Sequence, residues 1–191
     1  MYLYQPCLLA LALYAWAFDR GHGLRMLIPL LILAISGWEL TFERIWLFPA
    51  AWLLPLMYLF HAAVWAEVLT ASIAGGLVCW KMADTWPLLP GLTPLCALML
   101  LIVVVLLCRE REDRLLACAV SGMFFELFFC LREYMLFSFC TVRLGSREGL
   151  SLGSAALCLY CVLEQVFLAI QARKLTESKK SSCIFRSDVY N

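Results

Sequence analysis

Three charged side chains, Glu126, Arg132 and Glu133, stand inside an apolar stretch that runs from Leu115 to Phe139. A charge at the centre of a bilayer costs roughly 2.5 to 3.5 kcal/mol on insertion scales, so such residues turn toward a bundle interior, a wet cavity or one another. On a helix Glu126 and Glu133 share one face at about 20° offset, with Cys130 between them. Two readings stay open. In one, the group is a proton or cation site, because a carboxyl group shielded from water can exchange protons near neutral pH. In the other, Arg132 turns toward Glu164 or Glu67 on another helix and forms an internal ion pair that fixes packing without chemistry. Arg132 and Glu133 also lie about 9 to 10 Å along the helix from Glu126 at 1.5 Å per residue, which allows them to snorkel toward an interface. The candidate intramembrane polar or ion site is therefore Glu126, Glu67, Glu164, Arg132 and Glu133.

Other motifs carry less chemistry. His61 and Glu67 are roughly 120° apart on a helix, and with two histidines in the chain no zinc-type ligand set is assembled, so no metal or other cofactor is expected. Cys158-Leu159-Tyr160-Cys161 has the spacing of redox dithiols, but it falls inside an apolar span and the expected outer loops hold no second pair to relay electrons. Gly149-Leu150-Ser151-Leu152-Gly153 fits a nucleophile pattern, yet no histidine follows Ser151 and the motif opens a helix rather than an elbow. Capping and close packing account for it. Ala63, Ala71 and Gly75, with Ser72 and Gly76 one step round, recur at the interval that lets helices approach closely. No enzymatic machinery is expected.

The elements that must position these residues follow from composition. Of 191 residues, 64% are hydrophobic, and the mean hydropathy is +0.86, against about 45 to 50% apolar in soluble domains. Lipid is the expected solvent. A formal net charge of +1 gives no field for nucleic acid or an acidic ligand. Most of the ten cysteines lie in apolar runs and are read as reduced thiols. The only asparagine is Asn191, so no glycosylation acceptor reports sidedness.

Apolar runs fall at Tyr2 to Phe18, Met26 to about Phe42, Leu92 to Cys108, Leu115 to Phe139 and Leu150 to Ala172. Ala15-Trp16-Ala17 resembles a signal-peptide cleavage site, but no Lys or Arg precedes the run, so the first helix is expected to be retained. Between Ile45 and Trp80 two arrangements compete: an approach broken by Pro49 and Pro55 followed by one long helix from about Leu56, or a hairpin near His61 to Glu67. The absence of Gly or Pro between those two residues favours the single helix. Arg109 to Arg114 and Arg143 to Gly149 are expected loops. Trp80 and Trp86 suit a membrane interface. The result is an all-α polytopic transmembrane bundle of about six spans over 1–172, with a polar, basic and unstructured tail over 173–191.

Six spans with both termini inside place nine Lys and Arg residues in the cytoplasm and five outside. Seven spans satisfy the same bias. Both arrangements leave the Arg109 to Arg114 turn and the tail, with Arg173, Lys174, Lys179 and Lys180, on the cytoplasmic side of a cell membrane. The partners expected are the bilayer itself and a helix-packing neighbour or second copy.

A short first helix, Ile35-Ser36-Gly37-Trp38-Glu39 closing the second, Trp86-Pro87 in a loop, and a charged turn before an acid-bearing fifth helix form a layout over most of the chain. It resembles the YphA-like polytopic membrane proteins of Bacillus-type bacteria. The resemblance implies a bacterial plasma membrane but carries no activity, ligand or catalytic residue.

Overall fold

The computed structural model describes residues 4–18, 40–42, 45–59, 64–85, 92–137 and 142–187. Helices dominate them: α1 (Tyr4–Phe18), α2 (Pro49–Leu59), α3 (Trp65–Thr85), α4 (Leu92–Leu107), α5 (Arg111–Phe137) and α6 (Arg147–Ser187). Three short strands, β1 (Leu40–Phe42), β2 (Ile45–Leu47) and β3 (Val142–Leu144), were not anticipated. β1 pairs antiparallel with β2, and β2 parallel with β3. Their β-branched and aromatic residues suit this pairing. It joins the segment before α2 to the segment before α6.

Among the described residues, two helical stretches are long and apolar enough to cross a membrane, Arg111–Phe137 and the Arg147–Lys174 part of α6; Leu92–Leu107 is apolar but shorter. The chain divides into two compact units, Met1–Leu159 and Tyr160–Asn191. In the first, α3 and α5 run parallel. Val64 meets Asp113 at one end, and Asp84 meets Arg132 at the other. α4 runs antiparallel to α3, with the thiols of Cys79 and Cys96 each donating to the other's carbonyl at 3.3 and 3.9 Å. The small-residue stripe is buried as its spacing predicts: Ala71, Ser72, Gly75 and Gly76 face inward on α3. A Cβ on Gly76 would come within 2.7 Å of Phe124 Cβ and 2.9 Å of the Phe125 backbone nitrogen on α5. Close approach there depends on glycine. α1 buries Tyr4, Leu8, Leu11, Ala12 and Ala15 at helical intervals, and the Cys158 thiol donates to the Cys7 carbonyl at 3.0 Å.

Several expected boundaries move. The helix expected from about Leu56 to Trp80 is described in two parts, α2 ending at Leu59 and α3 beginning at Trp65, with Val64 outside the helix and residues 60–63 outside the described residues. The start of α3 is held from outside that segment, where the backbone N–H of Val64 donates to Asp113. The charged run from Arg109 to Arg114 is not a free loop either. α5 begins at Arg111, and Asp113 in its first turn is fully buried. In the second unit α6 continues to Ser187, where composition predicted an unstructured tail from 173. Neither Gly nor Pro interrupts that stretch, and its Arg, Lys, Leu and Glu residues are good helix formers. Most of the second apolar run, His61, Ala63 and Trp86-Pro87 lie outside the described residues.

Candidate functional site

The site forms where α6 begins against the middle of α5. After β3 the chain turns at Gly145, whose φ of 84° is left-handed and favours glycine. Ser146 then caps α6. Its Oγ accepts from the backbone N–H of Glu148 at 3.1 Å and of Gly149 at 3.2 Å, as an N-cap serine should. In a capping box, the third residue of the helix is Glu or Gln and returns a hydrogen bond to the cap's own N–H. Here that position is Gly149. The missing acceptor comes from another helix: the Ser146 N–H donates to Glu126 Oε1 at 2.6 Å.

Glycine at 149 is what makes this possible. A Cβ there would collide with Glu126 Oε1 and lie 2.7 Å from the Gly122 carbonyl oxygen. A Cβ on Gly122 would collide with the Gly149 carbonyl. Gly153, one turn on, lies against the carbonyls of Cys118 and Ala119. The Gly-x-Ser-x-Gly segment is therefore a helix start and packing face, as capping and packing predict. Ser151 Oγ donates within its own helix to the Arg147 carbonyl at 2.6 Å.

Glu126 is 6% exposed, and its Oε2 is buried with no hydrogen-bond partner among the described residues. It lines a cavity of about 250 Å³ together with Phe125, Phe129, Cys130, Glu133, Ser146 and Glu148. Of the five residues singled out from sequence, Glu126 and Glu133 are brought together on this wall. The others are placed elsewhere. Arg132 pairs with Asp84 at 2.9 Å, not with Glu67 or Glu164, because the parallel packing of α3 on α5 brings the end of α3 beside it. Glu67 Oε2 accepts the Arg109 backbone N–H at 3.1 Å, where α4 gives way to α5. Glu164 lies on α6 in the second unit.

Sequence reasoning missed Ser146, Glu148 and Asp113. A serine followed three residues later by glycine, where Glu or Gln would complete the box, was the available signal for the first. Asp113 gave no comparable signal, since its oxygens accept the Val64 N–H at 3.3 and 3.2 Å from a helix distant in sequence.

Among the described residues no group of three or more His, Cys, Asp or Glu side chains is placed to hold a metal ion, and the eight cysteines whose side chains are described are unbridged. Comparison with protein-family models, with curated proteins and with solved structures finds no match.

Proposed function

We propose that this chain is an integral membrane protein of the cell membrane, of the YphA-like kind, with a structural or accessory role and no enzymatic one. One observation carries the reading: buried carboxylates fasten helix ends to one another while large apolar side chains face outward. Leu13 and Trp16 on α1, Ile102 and Leu106 on α4, Leu131 and Met135 on α5 and Val162 and Phe167 on α6 are all exposed. Soluble proteins rarely leave apolar surface on this scale uncovered. Lipid as solvent removes the need for cover, and it makes internally satisfied backbone groups obligatory. Asp113 and Glu126 supply that satisfaction at two helix starts.

In the proposed topology α1, the apolar run from Met26, α3, α4, α5 and α6 make six spans, with the tail cytoplasmic. α2, eleven residues long, covers about 16 Å at 1.5 Å per residue and does not cross the hydrocarbon core of roughly 30 Å. A second reading, a small proton-coupled carrier, is favoured by the cavity beside Glu126. Two measurements decide between them. Resistance to alkaline carbonate extraction tests membrane insertion; recovery of the protein soluble and monodisperse without detergent sinks it. Ion flux under a pH gradient in proteoliposomes, with Glu126→Gln as the comparison, tests the role. No flux above empty vesicles supports the accessory role, and flux abolished in a folded variant supports the carrier.

A further inference from the structure

We propose that Cys79 and Cys96 form an oxidisable thiol pair that closes into a disulfide and ties α3 to α4. Their contacts are mutual. The Cys79 thiol donates to the Cys96 carbonyl at 3.3 Å, and the Cys96 thiol to the Cys79 carbonyl at 3.9 Å. Each side chain therefore crosses to the other residue's backbone, and the two thiols also hydrogen-bond each other. A disulfide requires side chains that point at one another from closely spaced backbones. Reciprocal seating on antiparallel helices meets the directional requirement, and rotation about the two Cα–Cβ bonds brings sulfur to sulfur.

Closing the bond asks little of the surroundings. Both carbonyl oxygens lie inside helices and keep the N–H of the residue four positions on. Withdrawing the thiol protons leaves no backbone acceptor unpaired, and a disulfide carries no donor of its own to satisfy. The product is neutral and suits the buried position of both residues.

Burial also selects the oxidant. Cys79 is 0% exposed and Cys96 3%, which shuts out bulky and charged reagents and leaves small uncharged ones such as hydrogen peroxide. One sulfur attacks the peroxide and becomes a sulfenic acid as the first water leaves; the second sulfur then displaces the hydroxyl as a second water. Two thiols and one peroxide give one disulfide and two waters. The thiols lose two electrons and two protons, and both protons depart with the peroxide oxygens.

The test uses the full chain in membranes, oxidised with hydrogen peroxide and then blocked with N-ethylmaleimide in SDS. Lys81 is the only lysine in residues 1–173 and separates Cys79 from Cys96, so a lysine-specific protease cuts between them. On a non-reducing gel the two fragments should stay joined at the size of one chain, and part on reduction. Cys79→Ser and Cys96→Ser should each abolish the joined species. A link between Cys7 and Cys158, whose thiols also meet, would join the same fragments, so the Cys7→Ser/Cys158→Ser double variant should keep it. Mass spectrometry of the joined native fragments, which needs no variant to fold, should assign the link to Cys79 and Cys96. Fragments that separate after oxidation of the native chain overturn the proposal. So does a link mapped to any other pair, or a joined species that survives in Cys79→Ser.

Discussion

Two carboxylates on α5 do the same local job and differ in what they have left over. Asp113, fully buried, presents both oxygens to the Val64 N–H at the start of α3. Glu126, almost as deeply buried, presents one oxygen to the Ser146 N–H at the start of α6 and keeps the other without a partner beside a cavity. Each fastens the first turn of a neighbouring helix to α5, and each replaces a capping contact that the local sequence lacks. Val64 has no side-chain oxygen, and Gly149 occupies the place of a capping-box glutamate. The difference teaches where spare capacity sits. At Asp113 the two oxygens are turned on the helix start; at Glu126 one oxygen holds the helix start and the other is buried with no hydrogen-bond partner among the described residues.

Breaking the second contact through its backbone should have the largest effect. Gly149→Ala places a methyl group against Glu126 and the Gly122 carbonyl, and backbone cannot swing aside as a flexible side chain can. We expect a loss of about 3 kcal/mol, the upper end of overpacking costs, read as the midpoint of SDS-induced unfolding in mixed micelles. A midpoint equal to that of the native chain would show that α5 and α6 are not in this close contact. Next in size is Asp113→Ala, which leaves the Val64 N–H without its acceptor in a part-buried setting. About 2 kcal/mol is expected, typical of hydrogen bonds to a charged partner, with α3 losing amide-exchange protection first at Val64. Protection unchanged there would remove Asp113 from the comparison.

Why Glu126 was legible in the sequence and Asp113 was not is a matter of range. Glu126 stands out because its neighbours are apolar, and no alignment of helices is needed to see that a buried carboxylate requires a partner. The small-residue face of α3 is legible for the same reason, being a pattern within one helix. Asp113 sits in a run of six charged residues, where solvation is the ordinary outcome; only the parallel packing of α3 on α5 buries it. The same packing sends Arg132 to Asp84, a choice that the helix carrying Arg132 does not encode. The start of α3 at Trp65 escaped notice because the group that holds it, Asp113, lies on α5. The small sheet was equally hidden, since three-residue strands have too few positions to show a period.

Glu126→Gln sharpens the comparison without breaking the fold. A glutamine side chain keeps a carbonyl oxygen for the Ser146 N–H and fits the space that Gly149 leaves open, so the unfolding midpoint should change by less than about 1 kcal/mol, as for a neutral hydrogen bond replacing a charged one. Asp113→Asn should cost more, because the amide nitrogen replaces one of two oxygens turned on the same N–H. The order of the two amide variants is the quantity to measure. If Glu126→Gln proved the more destabilising, the unpartnered Oε2 would have a structural partner, and the distinction between the two carboxylates would fail.

The smallest effect is expected where α3 and α5 meet at their far end. The Arg132–Asp84 pair is short at 2.9 Å, but the arginine side chain is 44% exposed and the aspartate 24%. Ion pairs this open to solvent are screened and ordinarily contribute no more than about 1 kcal/mol. Arg132→Gln should therefore shift the SDS midpoint by a fraction of what Asp113→Ala does, although both residues join the same two helices. The control matters because Arg132 was the candidate for a structural lock, with Glu164 or Glu67 as its expected partner. If removing it were as costly as removing Asp113, exposure would be a poor guide to which contacts hold α3 on α5, and the parallel register of these helices would depend on charge pairing rather than on the capture of a helix start.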